Sequence, residues 1–372
     1  MRFYLQDPTI PYSYSLHEAL LQACVGAESG GGAYAFVSQD GVKLLLGDEA
    51  FRSFVESGTF KLVVGIDEIT NENALRKLRE LRDMYRGLDI VAFLHDVRGA
   101  LFHPKFTWFK NRRGGMLIVG SGNLTARGLR RNWEAFSTVQ LDKREMKQIE
   151  ADWDGWIAHQ GRYLKSIDDE AVLEKARSNL RHRAVRGLEE EPQRELVQVV
   201  RQPLKEGEVI EDIEAWDFTN LNDVLVAEIP RSGDRWNQAN FDVGTFKEFF
   251  GATPGDNSQR ILLRHVKNDG SFSDIESRPS VSVKSHNYRF ELEAAAGLDY
   301  PTGGRPIGVF IRVSSRMFLY LIAMPSDDYY PTIRGFLDSR GAVETDQVKR
   351  IRTNVQELQG NCANLPFWNI IE

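Results

Sequence analysis

Two hydrophobic periods alternate along the first 140 residues. Short apolar runs of strand length, AYAFV (33–37), KLVVGI (61–66) and DIVAFLH (89–95), are separated by stretches with helical spacing, one near 47–56 and one from Asn71 to Arg86. Strands that alternate with helices predict an α/β N-terminal domain, a mixed sheet flanked by helices. Two further runs, LFHPKFTWFK (101–110) and GMLIVGS (115–121), flank an Arg-Arg-Gly-Gly turn and predict a hairpin or adjacent strands, and EAFSTVQL (134–141) predicts one more.

Residues 143–182 carry a helical pattern that runs into a charged stretch with Gly187, three successive glutamates and Pro192, as a linker would. Beyond it the texture changes to short β-like runs at 224–229, 259–266, 280–285, 288–292, 308–314 and 318–324, separated by turn signals such as Asn-Asp-Gly and Pro-Thr-Gly-Gly. The expected organisation is therefore an α/β domain over 1–185, a linker over 186–198, and a mostly β barrel or sandwich over 199–372.

Composition adds little: 42% hydrophobic and 27% charged residues describe an ordinary globular chain, and 372 residues suit two domains. Cys24 and Cys362 lie near opposite ends in no metal-ligand spacing, so isolated thiols in a reducing compartment are expected. The N-terminal residues lack the features of a secretory signal, and no stretch reaches the roughly 20 apolar residues that span a bilayer, which places the expected location in the cytosol. No cofactor or metal set is suggested, and no P-loop occurs.

Charge changes the picture locally. The net charge of -6 offers no global attraction to nucleic acid. From Phe102 to Trp133, however, there is no carboxylate, while Lys105, Lys110, Arg112, Arg113, Arg127, Arg130 and Arg131 all fall there. The same segment contains His103-Pro104-Lys105, then Gly120-Ser121-Gly122-Asn123, then Asn132-Trp133-Glu134. On a strand, His103 and Lys105 would share a face. A helix beginning at Leu124 would let the Gly-Ser-Gly-Asn backbone, Ser121 and Asn123 cradle a phosphate. Imidazole can supply a nucleophile or a proton, ammonium can neutralise phosphoryl oxygens, and an amide with a hydroxyl can orient the phosphate. Glu134 is a candidate to set the tautomer of a histidine.

This segment resembles the phospholipase D superfamily, whose motif reads H-x-K, four residues, Asp, then a Gly-Ser-x-Asn element. The resemblance implies that His103 attacks phosphorus to give a covalent phosphohistidine and that a second histidine protonates the leaving oxygen. The family's Asp falls on Lys110 here. Nuclease members carry a glutamate after the Gly-Ser-x-Asn element instead, a role that Glu134 matches. No second complete motif is present. His265-Val266-Lys267 repeats the bare triplet without the rest and is set aside as chance. A single motif in a mechanism with two histidines implies a homodimer with its site on the two-fold axis.

The segment from Glu228 to Phe241, with Phe246 to Gly251 and Ser285 to Glu291, is similar to the carboxy-terminal region of NgoFVII/BfiI-type restriction endonucleases, which join a phospholipase D-like nuclease to a DNA-binding domain like the plant B-three pseudobarrel. That resemblance implies a metal-independent, sequence-specific endonuclease of a restriction or phage-defence system, acting on double-stranded DNA, with a separate ATP-dependent helicase-like subunit as a conceivable partner. Two arms would grip the major groove: Arg231, Arg235, Asn237 and Gln238 on one, Lys284, Asn287, Tyr288 and Arg289 on the other. Arg305, Arg312 and Arg316 are candidates to hold phosphates. Trp236 suits either the core or stacking. Two other readings compete, a phospholipid phosphatidyltransferase or phospholipase on the same motif, and a DNA-binding regulator whose nuclease half is inactive.

Overall fold

The computed structural model describes residues 1–189, 216, 218–219, 222–231, 236–256, 258–280, 288–340 and 348–370. Its elements run β1 (Arg2–Gln6), α1 (Leu16–Cys24), β2 (Ser29–Tyr34), α2 (Gln39–Leu45), α3 (Glu49–Ser57), β3 (Thr59–Gly65), α4 (Glu72–Met84), β4 (Leu88–Phe93), β5 (Lys105–Asn111), β6 (Gly114–Gly120), β7 (Glu134–Leu141), α5 (Lys143–His159), β8 (Leu164–Ser166) and α6 (Glu170–Glu189). There follow β9 (Asp223–Glu228), β10 (Gln238–Phe241), β11 (Arg260–Val266), β12 (Phe272–Pro279), β13 (Tyr288–Glu291), β14 (Ile307–Ser314), β15 (Met317–Ala323), α7 (Tyr330–Arg340), β16 (Arg350–Asn354) and α8 (Val355–Asn361).

The chain divides into two compact units. The first holds Met1–Leu5, Ala19–Leu129 and the chain from Glu134 through α6; the second holds Gln6–Glu18, Arg130–Trp133 and the described residues beyond 215. Two short segments of the amino-terminal half thus belong with the second unit, which a contiguous division at 185 does not capture. Of the expected linker, residues 186–189 continue α6, and 190–198 lie outside the described residues.

In the first unit eight strands form one mixed sheet in the order β1-β7-β6-β5-β2-β3-β4-β8. β2, β3 and β4 are parallel, joined by helical crossovers, while β5, β6 and β7 form an antiparallel meander that pairs with β2 through β5. The Gly30-Gly31-Gly32 run in β2 has no apolar period, yet it is strand because its neighbours need the space. A Cβ at Gly30 would lie 2.8 Å from the Phe60 ring and one at Gly31 would lie 2.9 Å from the Trp108 indole. On one face of the sheet, Phe51 and Phe54 of α3 pack edge-on against Phe60 and Phe109. On the other, Met146 and Trp153 of α5 join Ala33, Val63, Trp108 and Leu141 in a buried cluster. The helical pattern expected over 143–182 resolves into two helices around β8, which pairs antiparallel with β4 at the sheet edge. Asp142 starts α5 with a full capping box, its carboxylate accepting from Glu145 N–H while the Glu145 side chain accepts from Asp142 N–H.

The second unit is mostly β. Six strands form a sheet in the order β12-β11-β15-β14-β9-β16, with a separate antiparallel ribbon of β10 and β13. Among the described residues the sheet is open at β12 and β16, so the expected barrel does not close. Leu225 and Ala227 of β9, Phe310 of β14, and Phe318 and Tyr320 of β15 point to one face, where Phe241, Phe246, Phe249, Phe250 and Phe290 complete the core. Edge-on aromatic pairs here, such as Phe250–Phe310 at 5.5 Å, add about 0.5–1.5 kcal/mol each beyond area burial. The predicted run at 280–285 falls almost wholly outside the described residues; its neighbour β12 has too polar a sequence, FSDIESRP, to show as a strand.

A buried charged cluster also belongs to this unit. Glu18, Arg130 and Arg316 are each essentially inaccessible. Arg316 donates to Glu18 from Nε at 2.7 Å, and its other nitrogens donate to the Ser13 and Gly251 carbonyls at 2.6 and 3.0 Å. Arg130 donates to Glu18 at 3.4 Å, to His17 Nδ1 at 3.1 Å and to the Arg260 carbonyl at 3.0 Å. Burial alone would raise the Glu18 carboxyl, but the two guanidiniums override it and hold the group down to about 2. Arg316 sits at φ 53° in the β14–β15 turn, and its five side-chain bonds explain how a left-handed, non-glycine backbone persists.

Candidate active site

Strand direction assembles the candidate residues. Because β5 and β6 are antiparallel, as are β6 and β7, the first residue of β5, the residue after β6 and the first residue of β7 meet at one edge of the sheet. These are Lys105, Ser121 and Glu134. β2 also ends there, with Tyr34 opposite Lys105, so the corner lies at the carboxyl ends of the parallel strands, where open α/β sheets usually bind ligands.

The sequence pattern puts His103 on a strand with Lys105, but β5 begins only at Lys105 and His103 lies just before it. Pairing nonetheless reaches one residue further, since Ala35 N–H donates to the Pro104 carbonyl at 2.9 Å. The exposed His103 ring stands edge-on to Phe36 at 5.8 Å. The Lys105 ammonium lies 3.1 and 3.0 Å from its two ring nitrogens and donates to its carbonyl at 3.2 Å. Partial burial depresses the Lys105 ammonium below its ordinary value of 10.5, and the nearby Glu134 carboxylate opposes that shift.

Ser121 and Glu134 are joined directly, the hydroxyl donating to the carboxylate while accepting from Ala135 N–H at 3.1 Å. Asn123 accepts from Phe36 N–H at 3.2 Å through Oδ1, which leaves its amide NH2 as the end available to a phosphate. No helix starts at Leu124. That residue forms a parallel bridge with Val37, and a π-helical turn, Arg127–Arg131, follows. The expected helix-terminus cradle is therefore absent, and what fixes Asn123 is close packing. A Cβ at Gly128 would come within 2.5 Å of the Asn123 carbonyl oxygen, so only glycine lets the turn approach.

The basic run does not form one patch. Arg112 and Arg113 occupy the hairpin turn at the far end of β5, about 20 Å from Lys105 at a strand rise near 3.3 Å per residue. Arg112 pairs with Glu28 at 3.1 Å, and Arg130 is buried in the second unit. Lys110 projects from the face of β5 opposite Lys105 and binds Glu150 at 2.8 Å, so the position of the family's Asp is outside the corner.

The base-reading candidates fare less uniformly. Arg231 is exposed, and Asn237 and Arg289 are partly exposed. Gln238 is buried and donates to Glu291 at 3.0 Å, a correction to its expected reading role. Arg235, Lys284, Asn287 and the Tyr288 side chain lie outside the described residues. The two supposed arms are joined where β10 pairs with β13, Asn240 facing Arg289. Arg305 and Arg312 are ion-paired with Glu228 and Asp223, and Arg316 is buried, so none of the three stands as a free phosphate anchor. Trp236 is core, its indole donating to the Leu298 carbonyl at 2.6 Å. His265 lies on β11 against Tyr320 at 5.3 Å, where burial and then Lys267 push its imidazole down to about 4.

Two clefts adjoin the 94–104 loop, and no sequence pattern announces either. One, of about 670 Å³, includes the charged or titratable side chains of Asp67, Glu68, His95, Asp96 and Lys175; the other, of about 590 Å³, is aromatic and reaches His103. Both arise from the 94–104 loop, whose irregular pattern carries no period to read.

No family model matches the chain, and no curated protein matches it. Among solved structures, NucT from Helicobacter pylori is similar at 13% identity over 44% of this chain and 98% of its own, with a TM-score of 0.30. Nuc from Salmonella typhimurium, titled a phospholipase D family member, shares 14% over 44% and 96%, with a TM-score of 0.32. Yeast tyrosyl-DNA phosphodiesterase shares 15% over 44% and 41%, with a TM-score of 0.30. With TM-scores this low, no residue role is taken from these likenesses. Among the described residues no helix is long and apolar enough to cross a membrane.

Proposed function

We propose that this protein is a phosphodiesterase of the phospholipase D-like type that cleaves DNA through His103. The observation that carries the reading is the corner itself: an exposed imidazole, an ammonium against it, a hydroxyl–carboxylate pair and an anchored amide, all brought by strand direction to one sheet edge. Each part has a use on a phosphodiester. A ring nitrogen of His103 attacks phosphorus as the bond to the leaving oxygen breaks. Lys105 and the Asn123 amide stabilise the charge that grows on the non-bridging oxygens. Glu134, held by the Ser121 hydroxyl, supports the charged form of Lys105.

The leaving oxygen needs a proton, and water must later displace the histidine from phosphorus. One chain supplies one such motif, so the reading includes a homodimer in which His103 of the partner subunit donates that proton and then accepts one from the attacking water. Sequence-specific cutting of double-stranded DNA without a divalent metal, in a restriction or phage-defence role, is the finer form of the same proposal.

The test is incubation of purified protein with plasmid and oligonucleotide DNA in EDTA, beside His103→Ala. Cleavage by the wild type alone, with phosphate trapped on histidine in an acid-labile, base-stable adduct, supports the reading. Equal cleavage by the variant rejects it.

A further inference from the structure

We propose that the aromatic cleft beside His103 seats a nucleobase next to the scissile phosphate, so that the substrate strand enters unpaired or with one base turned out. This rests on the phosphodiesterase reading and adds to it the form of DNA that the site accepts.

The cleft lies between α5 and the sheet. Phe102, Phe106, Trp153 and Trp156 line it, and His103 and Pro104 are part of its wall. His103 therefore belongs to both the cleft and the phosphate corner. The rings form a nearly parallel array: Phe93 lies 4.2 Å from Phe102 at 14°, Phe102 lies 6.2 Å from Trp156 at 26°, and Trp156 lies 5.6 Å from Trp153 at 24°. Such an array would close over itself in a finished core. Here Trp156 and Phe106 stay partly exposed and Val119 is 46% exposed. The partly exposed rings of Trp156 and Phe106 suit another flat ring better than a flexible aliphatic chain. Asp152 and Gln160, also in the wall, supply an acceptor and an amide for the edges of a base.

Charge selects the direction. The neighbouring cleft carries Asp67, Glu68 and Asp96 beside Lys175 and His95, and its three carboxylates disfavour a phosphodiester backbone. Leu101 borders both clefts, so a strand anchored at His103 meets acid on one side and aromatic rings on the other.

The experiment compares wild type, Trp156→Ala and Trp156→Phe on a single-stranded oligothymidylate and on methyl p-nitrophenyl phosphate, a diester without a base. Losing one stacking ring should lower the ratio of oligonucleotide to small-diester turnover on the order of tenfold, mostly through KM, and Trp156→Phe should recover most of it. In parallel, His103→Ala is titrated with the oligonucleotide, and quenching of tryptophan fluorescence should shrink when Trp156→Phe is added. An unchanged ratio together with unchanged quenching overturns the proposal. Two other results also overturn it: quenching by phosphatidylglycerol vesicles and not by DNA, or a dimer that Trp156→Ala turns into monomers in sedimentation. If wild type and His103→Ala cut equally, the phosphodiesterase reading fails instead, while the quenching titration still decides whether the cleft binds bases.

Discussion

The corner holding His103, Lys105 and Glu134 is open to solvent, whereas Glu18, Arg130 and Arg316 are enclosed by protein on every side. Both clusters combine basic side chains with one carboxylate. In the first, the charges keep access to water, so their arrangement can answer to a ligand. In the second, each charge must be neutralised where it stands, because a lone buried ion costs several kcal/mol. Electrostatics alone does not separate a site from a keystone; solvent access does.

The sharpest contrast comes from deleting the central group of each cluster. His103→Ala should reduce DNA cleavage by about a thousandfold or more, as removal of a nucleophile or its proton partner does, with an unchanged melting temperature. Glu18→Gln should do the reverse. Leaving Arg130 and Arg316 without their anion costs about 3–5 kcal/mol, read as a fall in the urea midpoint. The acid response adds a second readout. Glu18 has its folded-state pKa lowered from 4.5 to about 2, so its contribution is full above 4.5 and drains away as pH falls toward about 2. Wild type should lose stability across that window more steeply than Glu18→Gln; parallel curves would remove Glu18 from the account.

Arg130 and Lys105 show what the sequence makes legible. A carboxylate-free run from Phe102 to Trp133 looks like one basic surface, but folding sends its members to a hairpin turn, a sheet corner and a buried core. Spacing of two along a strand and the order of antiparallel strands are local facts, so the meeting of Lys105, Ser121 and Glu134 could be read in advance, as could β3, β4, β7 and β15. The partners of Arg130 and Arg316 are set by contacts more than 100 residues apart, such as Arg316 with Glu18, and no local period announces them. The same holds for β2, whose glycines are dictated by Trp108 and Phe60 on neighbouring strands.

Two smaller perturbations probe the corner from its supports. Gly128→Ala drives a methyl group into the Asn123 backbone, and a displacement near 1 Å there should lower cleavage by up to about 100-fold while stability falls by only about 1–3 kcal/mol. Lys105 must stay protonated to bind phosphate, and its pKa lies below the ordinary 10.5, so the alkaline limb of the rate profile should fall below that value. Glu134 supports the charged form. Glu134→Gln should therefore move the limb to still lower pH, and a shift upward would reverse the assignment.

The smallest expected effect is at Lys110, the position where the resembling family keeps an aspartate. Its ammonium binds Glu150 from the face of β5 that points away from Lys105, and 40% of the side chain is exposed. A half-exposed ion pair of this kind contributes about 0–1 kcal/mol, so Lys110→Ala should change neither the melting temperature by more than a few degrees nor the cleavage rate by more than about twofold. Lys110→Asp, which restores the family's residue, should be worse than alanine, because it sets a second carboxylate beside Glu150. A gain of activity in Lys110→Asp would mean that the strand face assigned to this position is wrong.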